Sequence, residues 1–514
     1  MARWVSIAVA IVLTATSALA QINTTQVMNL GRNALWGHDY WLAIQYFNQV
    51  IYQEPTLAEP YYYRAVAKMA LGDCKGANDD ATQCININPF INNSHKLRAI
   101  ARQQSHNYQL AIEDYNKCRE VNKDDHDILL NIASCHIALE EYAQADSCLK
   151  ELLSNDSTNA SAHLAIAQLR LEQHDTLATI NHLSQAIKLN KNNAKARLKL
   201  NQLLHSIGHT SNDINDIDNK FYSEHSDIIN DGGFYPELSF RSDDFINERK
   251  DTEQRIQHGP LFIRDNYLVN VKPQEIFRLS YYPDDILPQG HTHLIKEMSA
   301  INDMDVLPCK LTIVSKTRRL SAYEAADRFA SVAHYNDIIK NDKTHAINFF
   351  ARAMDQLMLR NYDAAIQDAS SAIAIQPGFT LAYMLRFNAS CLKLETEEQY
   401  NETSSSQEHS TFSGPHATSP SSDINTVIKL SPDNSYAIYN LAHRQAVVND
   451  FENALTNYSK AIELNPHLGE AYFNRGLIYL QLGQSEKAVD DLSKAGELGI
   501  MDSYSILKKI ITSR

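Results

Sequence analysis

The stretch YAIYNLAHRQAVVNDFENALTNYSKAIELNP, residues 436–466, carries the pattern that decides the fold. Its apolar residues recur at helical spacing in two runs separated by a short polar turn. Ala442, Ala454 and Ala461 supply small side chains, which let two helix backbones approach closely. Pro466 ends the second run because proline lacks the N–H that the helical ladder needs. The stretch therefore predicts two helices packed as a hairpin.

The same pattern returns every 34 residues without gaps, as Ala43, Ala77, Ala111 and Ala145 show. Five complete units follow one another, and 194–208 supplies the first helix of a sixth. After an interruption the pattern resumes, and residues 503–514 predict a capping helix that covers the last apolar face. The units run 24–57, 58–91, 92–125, 126–159, 160–193, 346–379, 380–432, 435–468 and 469–502.

These residues and this period resemble the tetratricopeptide repeat (TPR), a helix–turn–helix unit of 34 residues. The resemblance implies a mainly α fold, a TPR α-α superhelical solenoid in two stacks, at 21–208 and 346–502. It also implies that the first helices line a concave surface that binds proteins. The ending, residues 469–509, is similar to uncharacterised secreted or envelope TPR proteins of Gram-negative bacteria.

Residues 209–345 break the repeat, and we expect an acidic linker, a small β-rich (α+β) inserted module and a return helix there. LFIRDNYLVNVKP (261–273), EIFRLSYY (275–282) and CKLTIVSK (309–316) are β-branched, aromatic and bounded by turn residues, as strands are. The return helix, 321–339, places Ala325, Phe329 and Val332 on one face.

A second interruption splits unit 380–432. Residues 395–421 are rich in Ser, Thr and Glu and have no apolar period, so they predict a disordered loop between the two helices of that unit.

The N-terminus predicts export. Residues 1–20 combine Arg3, an apolar run from Trp4 to Leu13 and a small-residue site ending at Ala20, as in a cleaved secretory signal peptide. We therefore expect the mature chain to be extracytoplasmic, in the periplasm, with no transmembrane span after cleavage.

The net charge bears on which partners the chain can bind, and the cysteine content bears on whether it contains disulfides. A formal net charge of -14 argues against nucleic acid as a partner, since phosphates would repel the chain. The seven cysteines are an odd number without CxxC spacing. Cys135 and Cys148 would face each other across one hairpin, but packed helices usually hold Cα atoms too far apart for a bridge. The sequence does not decide whether Cys135 and Cys148 form a disulfide.

The predicted concave groove is apolar in the second stack. Its candidate partner-binding residues are Phe350, Met354, Leu357, Met358, Met384 and Leu392. One interpretation is a slot for an apolar peptide or partner helix, with methionine supplying adaptable contacts. The other is that the protein fills the groove itself, with the β-rich module or the return helix. Lys96 is the one basic residue at the fifth position of a unit, which argues against a carboxylate-gripping TPR.

The sequence predicts a non-enzymatic protein–protein interaction scaffold or adaptor without a cofactor or metal. No GxSxG, HExxH or phosphate-binding glycine loop occurs. Two alternatives remain open: a glycan-binding protein for outer-membrane nutrient uptake, using Trp36 and Trp41, and an enzyme housed in the inserted module. For the latter, His291, His293 and Glu297, with His258 and Cys309, are candidate zinc ligands.

Overall fold

The computed structural model describes residues 24–91, 93–121, 125–190, 193–206, 271–283, 295–316, 318–403 and 420–512. The chain divides into two compact units, one containing Met1–Lys250 with Leu507–Arg514 and the other Asp251–Ile506.

The first unit is a stack of helical hairpins, in which each helix packs against the next along the chain. The eleven described helices are α1 Thr24–Trp36, α2 Tyr40–Gln53, α3 Glu59–Ala70, α4 Cys74–Ile87, α5 Ser94–Gln104, α6 Tyr108–Val121, α7 His126–Ala138, α8 Tyr142–Asn155, α9 Ala160–Glu172, α10 Thr176–Leu189 and α11 Ala194–Ser206. These are the five predicted units and the single helix after them.

Alanine makes this close packing possible. Ala43, Ala77, Ala111 and Ala145 are each fully buried where the second helix of a unit crosses the first. At Gly31 an added Cβ would lie 2.6 Å from the Phe47 ring, so no larger residue fits there without movement. Small residues at fixed positions thus set the spacing between helices.

The turn inside each hairpin uses one left-handed residue. Gly72 and Gly483 adopt φ of 81° and 72°, a conformation that costs glycine nothing. The equivalent residue of the other regular units takes a positive φ without being glycine. These residues are His38, His106, Glu140, His174, Arg360 and Asn449.

An ion pair recurs inside the hairpins of both units. Arg475 donates from Nε and Nη2 to the Asp491 carboxylate, both at 2.7 Å, and from Nη1 to Ser459 Oγ of the preceding hairpin at 2.9 Å. One guanidinium therefore joins the two helices of its own hairpin and also links that hairpin to the preceding one. The corresponding pairs are Arg64–Asp80, Arg98–Asp114, Arg352–Asp368 and Arg386–Asp423.

The second unit combines an insertion with a second stack of hairpins. Its elements are β1 Arg278–Ser280, α12 Lys296–Met304, β2 Thr312–Val314, α13 Ala322–Asn341, α14 Ala346–Met358, α15 Tyr362–Ile375, α16 Thr380–Thr403, α17 Pro420–Leu430, α18 Ser435–Val447, α19 Phe451–Leu464, α20 Gly469–Gln481, α21 Ser485–Glu497 and the beginning of α22 Asp502–Thr512, whose residues from Leu507 onward belong to the first unit. Strands β1 and β2 pair antiparallel, with Leu279 opposite Ile313.

The second unit differs from the predictions in two places, and a third predicted element lies almost wholly outside the described residues. Of the loop predicted at 395–421, residues 395–403 are helical as the end of α16 and residues 420–421 are helical as the start of α17, while 404–419 lie outside the described residues. Helix α12 was not predicted and lies between the two strands. The strand predicted at 261–273 falls almost wholly outside the described residues.

The buried face of α13 also differs from its prediction. Phe329, which the sequence places on the apolar face, is 63% exposed. Arg328, Tyr335 and Ile339 form the buried face instead. Arg328 can lie on the buried face because its guanidinium pairs with the buried carboxylate of Asp355.

All seven cysteines are free thiols, including Cys135 and Cys148. Burial raises the pKa of Cys135 to about 12, so this thiol stays protonated and unreactive at neutral pH. Among the described residues, no helix has the length and apolarity required to cross a bilayer.

Candidate binding groove

In the second unit, the face formed by the first helices of the hairpins holds an extended segment of the same chain. We call residues 274–281, which include β1, the groove strand. Its residues 276–281 are all buried. The strand contacts the first helices of four successive hairpins, α14, α16, α18 and α20.

Three asparagines, Asn388, Asn440 and Asn474, grip the main chain of the groove strand, and we call them the asparagine clamp. The Asn474 amide accepts from Gln274 N at 2.7 Å and donates to Gln274 O at 2.9 Å. Asn440 forms the same pair of bonds with Phe277, each at 2.8 Å.

The third clamp residue bridges two positions of the strand. Asn388 donates to Phe277 O and accepts from Leu279 N, both at 3.1 Å. Each side-chain amide thus supplies one donor and one acceptor, as a neighbouring β-strand would. The clamp recognises extended backbone rather than particular side chains.

The distance between clamp asparagines of consecutive repeats matches the distance between the strand residues that they hold. Asn440 and Asn474 are the sixth residues of consecutive units, and they hold Phe277 and Gln274, which lie three residues apart. Three residues of extended chain span about 10 Å, which is the usual distance between packed helix axes. Every third residue of an extended chain therefore places its N–H and C=O groups opposite the clamp asparagine of the next repeat.

An aromatic pocket holds the Phe277 side chain. The rings of Tyr436 and Tyr439 meet Phe277 edge-on, each with centroids 4.9 Å apart. The Tyr439 hydroxyl lies 3.1 Å from Gln274 O and 3.0 Å from Glu275 O. Its burial raises the pKa of Tyr439 well above its ordinary value, so this hydroxyl remains a hydrogen-bond donor.

The opposite edge of the groove strand pairs with β2, in the register Arg278 opposite Val314 and Ser280 opposite Thr312. Helix α12 sits nearby, and its Glu297 accepts a hydrogen bond from Ser431 Oγ at the end of α17. The strand is thus enclosed between the clamp on one edge and β2 on the other.

A buried ion pair fixes α13 beside the end of the groove strand. Arg328 Nη1 donates to Asp355 Oδ1 at 2.9 Å, and Ser331 Oγ donates to Asp355 Oδ2 at 2.6 Å. The Arg328 guanidinium also lies 5.3 Å from the centre of the Tyr281 ring. Burial raises the pKa of the Asp355 carboxyl to about 6, although Ser331 and Arg328 oppose this shift.

The structure brings the six predicted groove residues together. Phe350, Met354, Leu357 and Met384 are buried, while Met358 and Leu392 are partly buried against the same core. The core also includes Phe277 and Leu279 of the groove strand. Of the two interpretations drawn from the sequence, the geometry favours the one in which the protein's own inserted module fills the groove.

Sequence reasoning missed the asparagine clamp. A signal was present, since Asn440 and Asn474 stand one repeat apart, but amides do not contribute to an apolar period. Asn388 is the ninth residue of a split unit and shares no such spacing.

The structure describes only two of the five candidate zinc ligands. His258, His291 and His293 lie outside the described residues, whereas Glu297 and Cys309 lie within them. In the parts of the chain that the structure describes, no three His, Cys, Asp or Glu side chains form a group that could hold a metal ion.

Models of known repeat families match three parts of the chain. The EMC2 TPR-like repeat domain matches residues 62–188, a TPR repeat matches 449–483 and a tetratricopeptide repeat matches 469–498. The chain is a tetratricopeptide-repeat protein. The matched ranges fall in both units of this TPR protein and lie among its regular helices.

Individual relatives are similar over short stretches. Tetratricopeptide repeat protein 6 of Homo sapiens is 35% identical over 95 residues, which are 18% of this chain and 17% of that one. The UDP-N-acetylglucosamine–peptide N-acetylglucosaminyltransferase of Giardia intestinalis is 39% identical over 70 residues, 14% of this chain and 5% of the enzyme. The TPR protein therefore spans less than a fifth of either relative.

Solved structures of other repeat proteins are also similar. MamA from Desulfovibrio magneticus RS-1, residues 41 to the end, aligns at 14% identity with a TM-score of 0.32. That alignment covers 33% of this chain and 97% of MamA.

Proposed function

We propose that this TPR protein is a non-enzymatic scaffold that holds an extended segment of a partner protein and acts outside the cytoplasm. The TPR repeats support a protein-interaction role in general. The asparagine clamp supports the finer proposal, because its bonds go to main-chain atoms of an extended segment. Main-chain recognition of this kind supplies affinity, while neighbouring side-chain pockets supply specificity.

Crosslinking in intact cells tests the proposed scaffold role. A photoreactive residue at position 358, beside the groove strand, should join the protein to a partner that mass spectrometry identifies. The matched control carries the same residue at position 358 together with Asn440→Ala and Asn474→Ala. Loss of the crosslinked partner in the control supports the proposal, whereas an equal yield, or no partner at all, contradicts it.

The proposed compartment has its own test. Residues 1–20 have the composition of a cleaved secretory signal. We expect the protein in the periplasmic fraction, with Gln21 as its first residue by N-terminal sequencing. Recovery from the cytoplasm with Met1 intact would contradict it.

A further inference from the structure

The groove strand shows what the groove accepts. Resting on the proposed function, we propose that the groove binds an extended partner segment with an aromatic residue followed two positions later by an aliphatic one. Residues 274–281 of the chain are then a built-in template and competitor for that segment.

The main chain of the partner is constrained by the clamp. Asn474, Asn440 and Asn388 accept from the N–H groups of residues 274, 277 and 279. A partner with proline at any of these three positions loses one of the bonds, because proline has no N–H. The partner segment must also be extended over at least six residues, since the outermost contacts are at 274 and 279.

The side chains of the partner are constrained by the core. Phe277 is fully buried and meets two tyrosine rings edge-on, a geometry that favours an aromatic ring beyond its apolar area. Leu279 is fully buried in the cluster that includes Met354 and Met384. Residues 277 and 279 therefore define the pattern of an aromatic residue, any residue, then an aliphatic one.

The groove strand is an imperfect ligand for its own groove. Arg278 is 3% exposed, and its Nε has no hydrogen-bond partner among the described residues, although its other nitrogens pair with Glu275 and Glu395. The Tyr281 hydroxyl is buried and likewise has no partner within the described ranges. Buried polar atoms without partners weaken binding, so a segment with apolar side chains at both positions should outcompete the native strand.

The groove strand is also held by a short sheet. Strands β1 and β2 each comprise three residues, and a two-stranded sheet of this kind is marginal by itself. Exchange of the strand therefore breaks the clamp bonds and a small ladder while leaving the helical hairpins in place.

Peptide binding to the full-length protein tests the inference. The probe is a fluorescent peptide with the sequence of residues 272–283 carrying Arg278→Leu and Tyr281→Phe, measured by anisotropy. We expect it to bind about tenfold more tightly than the native-sequence peptide. It should also bind about tenfold more tightly to a Phe277→Ala protein, whose own strand is weakened, than to the wild type. Adding Asn440→Ala to that protein should reverse the gain.

The control peptides separate the two proposals. If scrambled peptides bind the Phe277→Ala protein as tightly as the probe, the groove binds peptides but the template inference is wrong. If no peptide binds either protein while the cellular crosslink at position 358 still depends on the clamp, the scaffold role stands and the template inference again fails.

A measurement on the wild type covers the case in which Phe277→Ala does not fold. Hydrogen exchange of the amides at 277 and 279 should accelerate when excess probe peptide displaces the native strand. Unchanged exchange at saturating probe would overturn the inference.

Discussion

At the scale of single residues, Asn440 makes the most direct contact between the array and the groove strand. Its amide forms two bonds of 2.8 Å with Phe277 in a buried site. Asn440→Ala leaves the Phe277 N–H buried without that acceptor, so we expect a loss of about 2–3 kcal/mol in the free energy of unfolding. Urea unfolding followed by circular dichroism measures it.

The matched control is Asn131→Ala. Asn131 is also the sixth residue of its repeat and is 6% exposed, but it lies in the first unit. An equal loss for both variants would show that asparagine at this position stabilises the hairpin itself rather than the groove strand.

The clamp also shows where sequence reasoning stops at this scale. The burial of Phe350 and Met354 follows from their place in a helical period, and the sequence predicted them as groove residues. Asn388 has no such mark, because its role depends on a strand more than 100 residues earlier in the chain. A contact of that kind is set by the fold and not by any local pattern.

His443 gives the second unit a dependence on pH. Burial, with Arg444 and Arg278 nearby, lowers the pKa of His443 to about 4 from its ordinary 6.5. The unfolded chain therefore binds a proton that the folded chain excludes, and stability present above pH 6.5 is lost as the pH falls toward 4. We expect this group to remove at most about 2 kcal/mol of unfolding free energy at pH 5.

The variant His443→Gln isolates this effect. Thermal unfolding of both proteins from pH 7.5 to 5 should show a smaller fall for the variant. Asp355, whose pKa is raised to about 6, contributes with the opposite sign in both proteins and cancels in the comparison. Parallel curves for the two proteins would contradict the assignment.

At the scale of elements, the Arg–Asp pairs join the two helices of one hairpin. Arg352 donates to both oxygens of Asp368, at 2.8 and 2.7 Å, and Asp368 is 6% exposed. Arg352→Met leaves that carboxylate buried and unpaired, and we expect a loss of about 2–4 kcal/mol. The double variant Arg352→Met with Asp368→Leu should recover most of it, which a double-mutant cycle measures.

An exposed pair supplies the control for this cycle. Lys75 and Asp79 lie one helical turn apart, with side chains 45% and 55% exposed. Lys75→Met should cost less than about 0.5 kcal/mol. If Arg352→Met costs no more than Lys75→Met, the recurring pair does not stabilise the hairpin.

The elements were the most predictable part of this fold. Helix bounds follow from small residues such as Ala77 and Ala111, which repeat at a fixed spacing and leave one packing solution. The inward face of α13 could not be read in the same way. Arg328 looks like a surface residue until Asp355, on another helix, supplies its partner.

At the scale of the whole molecule, the groove strand should add to the stability of the second stack. Residues 251–514 contain the strand and its groove, whereas 320–514 retain α13 and every later helix but lack the strand together with α12 and β2. We expect the longer fragment to unfold cooperatively and the shorter one to show a lower melting temperature, because Phe277 and Leu279 leave the core. Calorimetry of both fragments measures the difference.

The first stack provides a comparison, since within its described residues, 24–206, every element is a helix. Four of its buried clusters are built from residues within 24–206, so we expect residues 21–208 to fold, although the compact unit also includes Leu507–Arg514. Equal melting temperatures for 251–514 and 320–514 would show that the second stack is likewise complete without the strand.

The groove strand has a consequence for how the protein is made. The ribosome completes residues 274–281 before it has synthesised any clamp residue, and Asn474 emerges 200 residues after Gln274. During synthesis the strand therefore exists for a time without the asparagines that hold it in the finished protein. Asn388 reaches it first, then Asn440, then Asn474, so the bonds close from Leu279 back toward Gln274. An aromatic and aliphatic segment exposed for that interval is open to capture by a chaperone.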